Sequence, residues 1–157
     1  MSLMGFKSGT DIRGYGATEY SQEKLYLSDE VVSKITCAFA NWLSRRNGKP
    51  VSGQKVSVGR DSRVSGPRII KAVSDTLSSL GVTVKDCGLA STPAMFMSTL
   101  DLDCDGAVQI TASHHPWERN GLKFFTPDGG LEGSDIAELL TEAENISVDN
   151  LTADTGL

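Results

Sequence analysis

Thr111-Ala-Ser-His-His-Pro116 is the densest run of reactive side-chain types in the chain, and Lys123 follows it closely. A serine is a weak nucleophile unless a base or an electrostatic field assists it, and His114, His115 and Lys123 are the assisting groups nearest Ser113 in sequence. Pro116 keeps the segment from turning helical, and the small Ala112 leaves the neighbouring hydroxyl accessible. No G-x-S-x-G elbow surrounds Ser113, so a hydrolase triad is not implied. The residues alone leave two readings open: a reactive serine, or a polar loop carrying two solvated histidines.

Other motif-like spacings fail on chemistry. Asp101, Asp103, Asp105 and Gly106 fit the start of a calcium loop, but the position that must supply a bidentate carboxylate is Ala112. Gly14 and Gly16 begin a G-x-G whose third glycine position is Glu19, and no G-x-x-x-x-G-K-[ST] occurs, so nucleotide-binding fingerprints are absent. Cys37, Cys87 and Cys104 contain no C-x-x-C pair and read as reduced core thiols.

The serine loop needs a scaffold, and the apolar spacing provides one. Val31, Val32, Ile35, Phe39, Trp42 and Leu43 recur at helical intervals between Ser28 and Asn47, with Arg45 and Arg46 in the last turn and Gly48 beyond. Val56 and Val58 alternate within a strand from Lys55 to Gly59. A helix follows Gly66-Pro67 with Ile69, Ile70, Val73, Leu77 and Leu80 facing one way, and Val82 to Asp86 is the next strand. Thr92-Pro93 opens a short helix with Thr92 as its cap. Gly106–Ile110 and Gly121–Phe125 read as strands, and Ser134 is expected to cap a last helix burying Ile136, Leu139, Leu140 and Ala143. This alternation predicts an α/β class, a three-layer α/β/α domain with a mixed, mostly parallel sheet, and the serine loop falls at the carboxyl end of a strand, where such sheets bind ligands.

The chain has 157 residues, 39% hydrophobic and 22% charged, a globular profile long enough for one core and unlike that of disordered or collagen-like chains. No apolar run approaches the ~20 residues of a membrane span and no signal peptide opens the chain, so membrane partners are not expected and a cytoplasmic setting is. Residues 1–127 hold all 15 Lys and Arg against 12 carboxylates, while residues 128–157 hold 8 carboxylates and no cation. An anionic ligand therefore belongs to the first part, although an ordinary solvated surface followed by an acidic helix accounts for the same count. The basic residues lack the interleaved aromatics of a stacking platform, so no nucleic-acid partner is expected. Residues 1–3 read as a vector-derived remnant, 4–145 as the domain, and 146–157 as an acidic tail or linker in which order fades.

Three ordered segments turn this reading toward a known family. Thr111-Ala-Ser-His-His-Pro116 resembles the T-A-S-H-N-P loop of the α-D-phosphohexomutases, the superfamily of phosphoglucomutase and phosphomannomutase. Asn120-Gly-Leu-Lys123 matches the family's N-G-[FL]-K at the same spacing, Gly9-Thr-Asp-Ile-Arg-Gly14 resembles its N-terminal arginine segment, and Val58-Gly-Arg-Asp-Ser-Arg63 resembles its G-x-R-D-x-R. The likeness covers only the first of the family's four domains.

The resemblance implies a 1-to-6 phosphoryl shift on a phosphohexose substrate through a phosphoserine at Ser113, with hexose 1,6-bisphosphate as activator. Arg13 and Lys123 become the cations nearest the phosphoserine, Arg13 as a planar fork and Lys123 also as proton carrier. His114 is assigned to loop positioning or a supporting proton role, and Thr10 to substrate hydrogen bonding. Mg²⁺ would meet one ligand here, a phosphoryl oxygen on Ser113, the others coming from a missing second domain. The remaining three domains are the implied partners, so this piece alone is expected to be inactive. Arg60 and Arg63 are assigned to loop and helix-start structure, with Asp61 able to pair with either. His115 stands where the family usually has asparagine and Trp117 where a second proline is common, so loop geometry or pH dependence is expected to differ. A phosphoglucosamine mutase domain and a non-catalytic phosphosugar-binding module are the alternatives; the T-A-S form leans away from the former.

Overall fold

Alternating apolar residues and two crossover helices build the centre of the sheet. The computed structural model describes residues 2–147. Its strands are β1 (Lys7–Ser8), β2 (Asp11–Tyr15), β3 (Lys55–Arg60), β4 (Thr83–Leu89), β5 (Gly106–Ile110), β6 (Arg119–Thr126) and β7 (Gly129–Gly130). The helices are α1 (Asp29–Asn47), α2 (Gly66–Ser79), α3 (Thr92–Asp101) and α4 (Gly133–Ala143). The order across the sheet is β1-β2-β6-β5-β3-β4, with β7 paired to β6.

Val56, Val58, Val108, Ile110, Leu122 and Phe124 point to one face, where α1, α2 and α4 bury them under Ile35, Phe39, Leu43, Ile69, Val73 and Leu140. On the other face Met95 of α3 packs with Ala107 and Phe125. This is the expected three-layer α/β/α arrangement, unevenly filled, because the one helix on the second face covers only part of it. The sheet is mixed, but the expected parallel majority is corrected: β3 pairs in parallel with β4 and β5, whereas β1–β2, β2–β6, β5–β6 and β6–β7 are antiparallel. Parallel neighbours need a crossover: α2 joins β3 to its neighbour β4, and α3 carries the chain from β4 back past β3 to β5. The segments joining β1 to β2 and β6 to β7 are short turns, and β5 returns into β6 through the serine loop itself.

Helix ends follow local chemistry. Ser28 accepts from the Val31 amide at 3.2 Å, Asp29 and Glu30 occupy the first turn of α1, and Gly48 ends it at φ +72°. Two expected caps move. The side chain that caps α3 is Ser91, which accepts from Ala94 at 3.2 Å, and α4 starts from a capping box between Glu132 and Asp135 instead of from Ser134. In both places polar residues adjoin, and where the chain leaves the extended region decides which one caps. Leu3, set aside as a remnant, is 2% exposed within the core, and its amide donates to Glu144 at 2.7 Å. Ile146 also packs against the core, while residues 148–157 of the expected tail lie outside the described residues. Among the described residues no helix is long and apolar enough to cross a membrane.

Candidate active site

The connection from β3 runs outward to β4, and the connection from β4 returns across β3 to β5, so the crevice beyond the carboxyl ends of β3 and β5 is a topological switch point. Both strands feed a loop into it, and the two loops are latched. The Asp61 amide donates to the Ile110 carbonyl at 3.0 Å, and the Thr111 hydroxyl donates to Asp61 Oδ2 at 2.7 Å.

Ser113 sits in this crevice, solvent-exposed, with φ +53°. A side chain other than glycine in the left-handed region costs roughly 1–3 kcal/mol, so surrounding bonds must hold it there. Its amide donates to Thr111 Oγ1 at 3.1 Å, and its carbonyl accepts from Arg63 Nη2 at 2.7 Å. Arg63 Nη1 donates to the carbonyls of Pro116 at 2.8 Å and Arg119 at 3.2 Å, and Nε lies 3.4 Å from Asp61 Oδ2. One guanidinium thus gathers three carbonyls of the segment and fixes its curvature. Asp61 pairs with Arg63; Arg60 turns to the Asp61 carbonyl instead, at 3.2 Å.

The cations reach the serine from the antiparallel half of the sheet. Arg13 lies opposite Gly121 on β6, where a Cβ would stand 2.3 Å from the Ile12 carbonyl oxygen and 2.9 Å from that of Thr111. Glycine alone permits that approach, which brings β2, β6 and the start of the serine loop together. Arg13 Nη2 donates to Ser113 Oγ at 3.3 Å and to Asp11 Oδ2 at 2.9 Å. Lys123 Nζ donates to Asp11 Oδ1 at 2.9 Å. Arg13 therefore touches the serine, and Lys123 connects to it through Asp11 and Arg13.

His114 and His115 are both exposed. The His115 imidazole is pushed below its usual range, first by loss of solvent and then by the positive charges of Arg13, Arg119 and Arg63. The Arg119 guanidinium lies 4.8 Å over the Tyr15 ring, Tyr15 stacks on Tyr20 at 5.1 Å, and Trp117, 58% exposed, meets Tyr20 edge-on at 6.2 Å. Thr10 is exposed in the β1–β2 turn, three residues before Arg13. One site residue escaped the sequence reading, Asp11 as the shared carboxylate, while Arg63, assigned there to loop structure, clamps the serine loop. The signal for Asp11 was its place two residues before Arg13, which on a strand puts both on one face.

Arg13 and, through Asp11, Lys123 bring positive charge to Ser113, and comparison with known proteins gives the family of the fold that positions them. The model of the phosphoglucomutase/phosphomannomutase alpha/beta/alpha domain I matches residues 8–148. A phosphoglucosamine mutase of Symbiobacterium thermophilum is 35% identical over 149 residues, covering 94% of this chain and 31% of its own. A phosphomannomutase of Sinorhizobium fredii is 34% identical over 126 residues, covering 78% of this chain and 26% of its own. A crystal structure of a phosphoglucomutase/phosphomannomutase family protein from Burkholderia thailandensis superposes with a TM-score of 0.73 at 26% identity, over 92% of this chain and 31% of that one. The chain thus spans less than a third of the length of these relatives. Fold, motif order and relatives converge: the chain belongs to the phosphoglucomutase/phosphomannomutase family, as its α/β/α domain I.

Proposed function

We propose that this domain supplies the phosphoryl-carrying serine of a phosphohexomutase, with Ser113 exchanging its phosphoryl group with a hexose monophosphate by way of a hexose 1,6-bisphosphate. The observation that carries this reading is the donation from Arg13 Nη2 to Ser113 Oγ at 3.3 Å, on a serine held exposed in a left-handed conformation. A transferring phosphoryl group spreads negative charge over its oxygens, so catalysis rests on charge placement more than on covalent chemistry. Arg13 supplies a planar fork for those oxygens and Lys123 a mobile point charge. In the transfer the bond from phosphorus to Ser113 Oγ breaks as the sugar hydroxyl oxygen bonds to phosphorus. Lys123 gives a proton to the departing Oγ and takes the one released by the hydroxyl, which balances the step. His114 supports the loop.

The Mg²⁺ implied by the family resemblance is not built by this chain. Among the described residues no group of three or more His, Cys, Asp or Glu gathers to hold a metal, and a hard cation with one ligand does not stay bound. The ion therefore needs donors from elsewhere in a longer protein, and so do sugar recognition and the clamp on the distal phosphate. We place that protein in the cytoplasm. The substrate we favour is glucose or mannose phosphate. Glucosamine phosphate is the second reading, which the names of relatives at 35–38% identity support.

Ser113→Ala in the full-length protein tests the assignment. Mutase turnover on glucose 1-phosphate, mannose 1-phosphate and glucosamine 1-phosphate, each with its bisphosphate, is expected to vanish while the thermal melt stays cooperative, because a small exposed residue gives way to a smaller one. Near-normal turnover on the preferred sugar would remove Ser113 from the chemistry.

A further inference from the structure

Asp11 has no role in the phosphoryl transfer as written above, yet it is the group on which the site's geometry converges. It is 8% exposed, and each of its two oxygens takes one cation: Oδ1 the Lys123 ammonium, Oδ2 the Arg13 guanidinium, both at 2.9 Å. The sheet sets this up before any side chain is placed. The antiparallel register that puts Ile12 opposite Leu122 and Arg13 opposite Gly121 sets Asp11 across from Lys123, and strand alternation places Asp11 and Arg13 on one face. Two cations brought this close repel one another when a low-polarity surrounding leaves them without a counter-charge. The carboxylate cancels that repulsion and leaves one net positive charge directed at Ser113.

The same nitrogen of Arg13 that reaches Ser113 Oγ at 3.3 Å is the one bound to Asp11. A phosphoryl group on that oxygen shares this nitrogen, which has a hydrogen for each partner, and the Lys123 ammonium with Asp11, whose negative charge weakens the pull of both cations on it. Resting on the phosphoserine reading above, we propose that Asp11 is a positioning residue which orients Arg13 and Lys123 toward Ser113 and, by partly neutralising their charge, keeps the phosphoserine from being held too tightly to transfer. Its role is exercised through the two cations, and it does not touch the reacting atoms. An amide at this position cannot replace it, since asparagine offers one acceptor oxygen and turns two donors toward cations.

The test is a set of variants in the full-length protein: Asp11→Asn, Asp11→Glu, Lys123→Met, and Asp11→Asn combined with Lys123→Met. Asp11→Asn is expected to lower kcat about tenfold or more while KM for the sugar phosphate holds or falls, because the site gains net positive charge. The phosphoryl group on Ser113, followed by intact mass, is expected to persist longer after addition of sugar phosphate. Asp11→Glu retains the carboxylate and is expected to recover part of kcat. In the Lys123→Met background the effect of Asp11→Asn should shrink, since the two changes remove one interaction. A wild-type kcat in Asp11→Asn, a rise in KM alone, or full additivity with Lys123→Met would overturn the proposal. Should Asp11→Asn fail to fold, Asp11→Glu decides: unchanged kcat and phosphoserine lifetime despite the displaced carboxylate would overturn it, and a lowered kcat at unchanged KM supports it. A wild-type protein that neither turns over sugar phosphate nor carries phosphate on Ser113 refutes the phosphoserine reading itself, a failure distinct from any variant's.

Discussion

Arg13 and Lys123 share a carboxylate, but they stand differently toward the serine. Arg13 already donates to Ser113 Oγ at 3.3 Å, whereas Lys123 rests on Asp11 at 2.9 Å with its ammonium 5.8 Å from the Phe125 ring centroid. A group that must leave one partner to meet the transferring phosphoryl contributes more to the transition state than to the ground state. Lys123→Met in the full-length protein is therefore expected to lower kcat by about two orders of magnitude, with KM changing severalfold at most. Steady-state kinetics separates the two parameters, and a rise in KM at unchanged kcat would make Lys123 a simple substrate-binding charge. At this scale the sequence was partly legible. Ser113, Arg13 and Lys123 could be singled out because each lies in a short motif of recognisable spacing; in the structure Arg13 bonds Ser113, and Lys123 is linked to it through Asp11 and Arg13. Asp11 was not read as a site residue and Arg63 only as loop structure, because what makes them matter is register across strands and curvature of a loop, neither of which a single segment encodes.

The serine loop is an element in its own right, held by contacts from its neighbours. Arg63 bonds three of its carbonyls, Thr111 bonds Asp61, and together they hold Ser113 at φ +53°. Removing the guanidinium leaves those carbonyls to water and lets the serine relax from its strained conformation. We expect Arg63→Ala to cost about 1–3 kcal/mol of stability in a denaturant melt, since exposed carbonyls regain water, and to lower turnover more than tenfold. Lost stability with normal turnover would mean that the left-handed serine is incidental to the chemistry. The scaffold beneath was easier to read. The α2 helix follows from apolar spacing because it buries one face, α1 carries the same spacing within a wider buried surface, and β5 is legible as a short apolar run buried on both sides. The β1–β2 hairpin gave no such signal: β2 buries Ile12 on the core side and turns Asp11, Arg13 and Tyr15 toward the polar site. That hairpin, with β6, is also what makes the sheet more antiparallel than the βαβ series implied.

Across the whole molecule, the division of charge along the chain has a structural use. The acidic second part is partly neutralised inside the fold, where Arg45 at the end of α1 bonds Glu142 at 2.8 Å and Glu138 at 3.4 Å on α4, and Arg46 meets Asp128. Surface pairs of this kind add little stability individually. Their effect is to take α1's basic end out of competition for anions, while Arg13 donates to Ser113 Oγ and Arg63 to the Ser113 carbonyl. The phosphoryl group proposed for Ser113 matches that positive charge, and Ser113 as its carrier is the central claim. Intact-mass and peptide mass measurement of the full-length protein, before and after incubation with hexose 1,6-bisphosphate, tests it most directly. The predicted result is the added mass of one phosphoryl group, localised to Ser113 and removed when excess hexose monophosphate is supplied. An unmodified Ser113 under both conditions, or phosphate found on another residue, would contradict it.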